Sequence, residues 1–413
     1  MKILKLLAFS CAITFSLAFF SYGMFLLTEY VTGQDHVAYL QNNKETSALD
    51  EPFEFDMMHA DINANSLVLV GEIHGFKTPV QFDIEFFSYL TAQHEFNTYM
   101  LEMDFSQAYF MNKYNQTGDT ALLQKVLSNW VVAIGRDNQD YKKRWQQLQA
   151  LYESGYRFHY LGNDRLKDIE LLYKHLNELE DGLSLAWDDT LTEQEQLTLA
   201  KESIISLLAQ HQHTDNTQWQ LNHLLTNIEM KLAKTHRETV MTNNFLALYQ
   251  YYDLYNEKVY GYYGIGHTLL KQSAEGHKSM AARLAEHEQW FADNTLAVNM
   301  VFVDSYMTVP SQALPAFLQE QGQYSKLSVS FDNLLTHYAF GIQDFKRVTE
   351  QSTKTLFKLN GANSPYFSSQ RLFTAYKLIP SSLTLSAHQE AVSADYGQFA
   401  LFIRDSDWAE PGS

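Results

Sequence analysis

Four side chains able to do acid–base or metal chemistry stand at the ends of short apolar runs. Glu72 and His74 lie in Gly71-Glu72-Ile73-His74-Gly75, Glu102 in Leu101-Glu102-Met103-Asp104, and His267 in Gly264-Ile265-Gly266-His267. Asp164, in Gly162-Asn163-Asp164-Arg165, and Asp104 occupy matching places. A neutral imidazole backed by a carboxylate is a general base that can activate water. The set Glu72, His74, Glu102 and His267 equally suits a divalent metal, through nitrogen and oxygen, and a histidine can ligate haem iron. In an extended stretch, residues two apart face the same side, so Glu72 and His74 can share a cleft. Asp104 and Asp164 both precede helical patterns and suit helix caps as well as they suit a site. The chain has no G-x-S-x-G elbow and no phosphate-binding or H-E-x-x-H motif. Its one cysteine is Cys11, which leaves the rest of the chain without disulfides, thiolate metal sites or a thiol nucleophile.

These residues need elements that deliver them to one place. Strands are predicted at Ser66–Val70, Thr98–Met103, Arg157–Leu161, Val259–Gly264, Leu296–Val303 and Phe399–Arg404, each short and rich in β-branched or aromatic residues. Thr78–His94 between the first two has helical spacing. Such alternation predicts an α/β fold, a mostly parallel central sheet with flanking helices. Ligands bind such sheets at the carboxyl ends of the strands, where these polar residues fall, so a small-molecule substrate is expected there. From about residue 166 to 257 the sequence is almost wholly helix-forming and reads as a helical insert, a lid or plain scaffold. The α/β domain is taken as residues 61–413, preceded by a linker over 30–60.

The 413 residues are 46% hydrophobic, enough for a large core. A net charge of −18 repels nucleic acid, which is not an expected partner. The uncharged run from Leu6 to Leu27 follows Lys2 and Lys5 and is long enough to span a bilayer. Residues 1–29 are therefore expected to form an N-terminal transmembrane helix, an anchor or uncleaved signal. The lysines keep its start in the cytoplasm and place the domain in the periplasm or outside the cell. A cleaved signal peptide followed by secretion is the alternative. No feature of the sequence speaks to oligomeric state.

The motifs together resemble the erythromycin esterase-like family, in the wider clan that holds the haem-binding ChaN-like and the Tiki proteins. The resemblance is carried by Leu67-Val68-Leu69-Val70-Gly71-Glu72-Ile73-His74-Gly75 and Met100-Leu101-Glu102-Met103-Asp104-Phe105-Ser106. Phe158-His159-Tyr160-Leu161-Gly162-Asn163-Asp164, Arg237-Glu238 with Met241 and Asn244, and Gly266-His267 follow in the family's order. It covers roughly residues 65–405. Two departures stand out: the Glu-x-His spacing is one residue shorter than usual for the esterases, as in the ChaN-like and Tiki branches, and Arg237-Glu238 replaces a more usual Arg-Asp. The resemblance implies a hydrolase acting on an ester, lactone or amide, with His74 as the base on water. Glu72 would orient it, while Glu102 and His267 position water or the carbonyl. Arg237, with Asp104 and Asp164, would contact substrate. The Tiki branch implies a divalent metal on the same four residues, and the ChaN-like branch a haem- or metal-binding protein instead of an enzyme.

Overall fold

The computed structural model describes residues 23–128, 138–180, 183–210, 213–378 and 386–411. Its centre is an eight-stranded sheet. The strands are β1 (Lys44–Ala48), β2 (Leu67–Glu72), β3 (Thr98–Leu101), β4 (His159–Gly162), β5 (Val259–Gly264), β6 (Thr295–Val303), β11 (Thr353–Lys358) and β13 (Phe399–Arg404). Their order is β1-β11-β13-β6-β2-β5-β3-β4. All pairs from β13 to β4 are parallel, and only β1 and β11 run as an antiparallel edge. The six predicted strands are all present, with ends shifted by a residue or two.

Buried parallel strands must be apolar on both faces, and β2 shows this directly. Val68 and Val70 join one core, while Leu67 and Leu69 join the other. The first core is covered by helices Lys77–His94, Phe105–Thr117 and Gln139–Glu153. The second is covered by Ile169–Leu179, Glu193–Gln210, Asp215–Leu232 and Arg237–Tyr251, the helices of the predicted insert. The insert is thus one of the two layers packed on the sheet. The chain reaches β3 and β4 on one side, returns through this layer to place β5 between β2 and β3, and then crosses to β6. Connections from β2 and its neighbours therefore diverge at the sheet centre, where a crevice opens at the carboxyl edge.

Beyond β6 lie elements that the sequence pattern did not reveal. A two-stranded ribbon is formed by β7 (Ser305–Pro310) and β8 (Tyr324–Val329). A small antiparallel sheet is formed by β9 (Asp332–Asn333), β10 (His337–Ala339) and β12 (Ala375–Tyr376).

The expected linker over 30–60 is instead folded into the domain. Residues 34–42 are helical, with Leu40 fully buried, and β1 pairs with β11 along its length. Just before it, the buried Glu29 carboxylate accepts from the Tyr338 hydroxyl and the Gly341 N–H. The predicted membrane span falls largely on residues 1–22, outside the described residues. Its last residues are described, and Phe25 packs edge-on against Tyr338 and Tyr376 at 5.4 and 5.5 Å between ring centres. Among the described residues no helix is long and apolar enough to cross a membrane.

One buried ion pair ties the first helical layer to the sheet. Asp83, on Lys77–His94, accepts from Tyr99 of β3, from Tyr260 of β5 at 2.7 Å, and from Arg144 of Gln139–Glu153. The Arg144 side chain is 2% exposed and that of Asp83 fully buried. Asp83→Ala leaves a guanidinium and two hydroxyls without their acceptor, so it should destabilise the fold by about 3–5 kcal/mol. A urea midpoint will measure this. Adding Arg144→Met should recover part of the loss, because the stranded charge is then gone.

Candidate active site

Glu72 is the last residue of β2, and the chain turns immediately afterwards through His74 and Gly75. Gly75 has φ +95°, and a Cβ there would lie 2.6 Å from the Thr308 carbonyl oxygen. The Gly75 carbonyl accepts from the N–H groups of Thr308 and Ala409 at 2.9 and 2.8 Å. The turn is thereby pinned to β7 and to the C-terminal segment, which fixes the direction of His74. Its Nδ1 is in close ion-pair contact with Glu72 Oε1, and its Nε2 lies 3.6 Å from Glu102 Oε2.

Gly264 closes β5 and donates its N–H to Glu102 Oε2 at 2.9 Å. Its missing side chain leaves a defined space. A Cβ on Gly264 would sit 3.4 Å from His74 Nε2, 3.5 Å from Glu102 Oε2 and 3.7 Å from His267 Cδ2. The structure thus brings His74, Glu102 and His267 around one point, with Glu72 behind His74. These four residues come from the carboxyl ends of three neighbouring strands.

A second row of charge holds them. Arg237, the first residue of its helix, donates through Nη2 to Glu102 Oε1 and to Asp164 Oδ2, both at 2.6 Å, and through Nε to Asp164 Oδ1 at 2.9 Å. Lys167 Nζ reaches Asp164 at 2.6 Å. Burial pushes the Asp164 carboxyl upward, but Lys167 and Arg237 outweigh it and hold it well below the usual carboxylate range. Asp104 caps helix Phe105–Thr117, and its other oxygen accepts from the N–H groups of Lys167 and Asp168 at 2.8 and 3.0 Å. Burial raises it to about 6 against those bonds. Asp104, Asp164 and Arg237, the expected substrate contacts, do not line the cavity described next; they form the layer behind Glu102.

A cavity of about 370 Å³ opens in front of Glu72 and His74 and continues past Gly264, Leu269, Val301 and Phe331. A smaller one of about 20 Å³, room for a single water, lies among Glu72, His74, Glu102, Arg144 and Tyr262. There Glu72 Oε2 and the Tyr262 hydroxyl are buried without a hydrogen-bond partner. Burial, and then the Glu72 charge, push the Tyr262 hydroxyl well up.

Several site residues escaped sequence reasoning. Glu238 lies 2.7 Å from His267 Nδ1, in ion-pair contact without the alignment of a hydrogen bond, and accepts from the Met280 N–H at 2.8 Å. Its position beside Arg237 was the available signal. Asn299 was also visible as the lone amide inside the apolar β6; it is buried and lines the cavity. His277 lines the cavity too and donates from Nε2 to the Gly266 carbonyl at 2.7 Å. Nothing in its local sequence marked it.

As arranged, the donors pair with one another. Among the described residues no group of three His, Cys, Asp or Glu side chains is placed to hold a metal ion. Glu102, the donor between the two histidines, already accepts from a guanidinium and a backbone N–H. This donor set does not fit a shared metal, and no step below passes through one.

No family model matches the chain, and no curated protein matches it. Solved structures do share its fold. A Bacillus cereus protein superposes with a TM-score of 0.63 at 14% identity, over 91% of this chain and 98% of that one. A succinoglycan biosynthesis protein does so with 0.60 at 13%, over 92% and 98%. A mutant of the erythromycin esterase EreC, in its open conformation, gives 0.57 at 13%, over 88% and 98%. The fold is therefore erythromycin esterase-like, in keeping with the resemblance carried by the motifs.

The charge layer predicts a pH effect. The Asp164 carboxyl is held below its ordinary 3.8 in the folded chain. Its contribution is then fully present above that value and is lost as pH falls through lower values. Arg237→Met should flatten this acid limb in stability measured against pH. At neutral pH it should cost about 3 kcal/mol, because it strands two buried carboxylates.

Proposed function

We propose that this chain is a hydrolase that cleaves an ester, lactone or amide bond with water activated by His74. One observation carries the reading: His74 Nε2, Glu102 Oε2 and His267 converge on the bare face of Gly264, beside the cavity. Glu72 against Nδ1 favours the tautomer that keeps its proton there, so Nε2 is the proton acceptor. A water in front of the Gly264 Cα, bridging His74 Nε2 and Glu102 Oε2, which lie 3.6 Å apart, would give one hydrogen to each. Its lone pair would then be directed away from both acceptors. Attack on the substrate carbonyl forms the new carbon–oxygen bond as His74 takes the water proton. Collapse of the tetrahedral intermediate breaks the bond to the leaving group, which takes that proton from His74. His267, steadied by Glu238, stands beside the same point to position water or the carbonyl. Arg237 holds Glu102 in orientation.

The fold shared with an erythromycin esterase supports a hydrolase. It does not extend to that enzyme's substrate. The apolar run Leu6–Leu27 after Lys2 and Lys5 supports a domain held outside the cytoplasm by a membrane anchor.

Turnover of a panel of activated esters and lactones tests this reading. His74→Ala should lower kcat by roughly 10²–10⁴-fold with the fold intact. Gly264→Ala should fold normally, since its φ of −58° suits any residue and its Cβ would touch nothing closer than 3.4 Å. Its methyl projects toward His74 Nε2 and Glu102 Oε2 and crowds out a water bridging them, so its activity should also collapse. A Gly264→Ala enzyme as fast as wild type sinks the water position, and an unaffected His74→Ala sinks the base. Activity lost on chelation and restored by a divalent ion would replace the route with a metal one.

A further inference from the structure

The cavity has a second wall, built by the chain after β8, that the hydrolytic reading leaves unused. It holds Phe331, Leu372, Phe373 and, from β10, His337. His337 is only 6% exposed, and its ring packs 4.2 Å from that of Phe331. Its Nδ1 is buried with no hydrogen-bond partner. Burial, with Lys377 acting in the same direction, lowers the imidazole to about 4, so it is neutral at ordinary pH and offers one donor and one acceptor. A buried imidazole nitrogen without a partner is costly, and such groups in native proteins ask for an explanation. The His337 side chain, through its accessible part, lines a cavity beside a candidate reaction centre.

The rest of the lining limits what can enter. Among the described residues the cavity is lined by no lysine or arginine, and its only carboxylate, Glu72, is engaged by His74. An anionic group would find no counter-ion there, and its dehydration would go uncompensated. Leu269, Val301, Phe331, Leu372 and Phe373 offer apolar surface instead. At about 370 Å³ the space lies near the lower end of the roughly 300–1,000 Å³ typical of small-ligand pockets.

We propose that His337 is a substrate-binding residue, and that the cavity takes a compact, uncharged acyl group whose one hydroxyl or carbonyl, set apart from the scissile bond, hydrogen-bonds the His337 imidazole. The identification of that group as an acyl group rests on the hydrolytic reading; the binding site does not. Specificity then arises because a polar wall residue strongly disfavours a ligand that leaves it unpaired.

Ketones cannot be hydrolysed, so they separate binding from chemistry. Calorimetry on the full chain should compare heptanone, its terminally hydroxylated derivative and the matching keto carboxylate. The hydroxy ketone should bind tightest and the carboxylate weakest. His337→Phe should weaken the hydroxy ketone by about 10-fold, the scale of one lost hydrogen bond in a dry site, and leave heptanone nearly unchanged. His337→Leu repeats the test should phenylalanine not fit. His337→Gln, which keeps a donor and an acceptor, should retain most of the affinity. Equal losses for both ketones, tightest binding of the carboxylate, or no binding of any ketone overturns the proposal. His337-dependent binding beside ester hydrolysis that ignores His74 would remove the hydrolytic reading and leave this site standing. The opposite pattern would remove this site alone.

Discussion

The acids Glu102 and Asp164, crowded together at the carboxyl edge of the sheet, depend on one guanidinium. Parallel strands that end together bring their terminal residues together, and here those residues are acids. Glu72, Glu102, Asp104, Asp164 and Glu238 are all buried. Buried carboxylates persist only when each has a partner. Arg237 serves Glu102 and Asp164 at once, and the next residue on its helix, Glu238, turns to His267. One helix start therefore sets the direction of two of the four residues around the Gly264 point. The planar fork of arginine suits this bridging in a way an ammonium group cannot match.

The same constraint explains the division of labour among the acids. Glu102 Oε1 is spent on Arg237, which leaves Oε2 to the Gly264 N–H and the open point. Asp164 is saturated by Arg237, Lys167 and the Arg165 N–H. Asp104 is saturated by backbone N–H groups. Of the carboxylates in this region, only Glu72 both lines the larger of the two cavities beside His74 and backs an imidazole. Residues that looked equivalent in sequence, each an acid after a strand, thus separate by how many of their lone pairs are already used.

How far the sequence could be read follows from burial. The six parallel strands were legible because both faces of each are buried, which demands a continuous apolar run. β1 was not, because Lys44-Glu45-Thr46-Ser47-Ala48 at the sheet edge is half exposed and carries no large apolar residue. β11 escaped for a related reason: Thr353 and Lys354 open it with polar side chains, and Lys354 is buried only through its pairing with Glu85. The site divides the same way. Residues at strand ends were found from the fold rule alone. Glu238, His277 and His337 reach the site from a helix start, a loop and the short strand β10, and no local spacing encodes those approaches.

On the hydrolytic reading, the choice of water as nucleophile follows from this geometry. The space around His74 Nε2 is bounded by a glycine, a carboxylate and a second imidazole. No serine or threonine lines either cavity beside His74, and the described residues include no cysteine. A side-chain nucleophile would have to occupy the position that Gly264 leaves open, and the backbone there, with φ −58° and ψ 140°, would accept one. That the residue is glycine, while its N–H still anchors Glu102, leaves room in front of its Cα for a water between two acceptors. On that reading the arrangement holds a base, an orienting carboxylate and a backbone anchor, and it leaves the nucleophile's role to solvent.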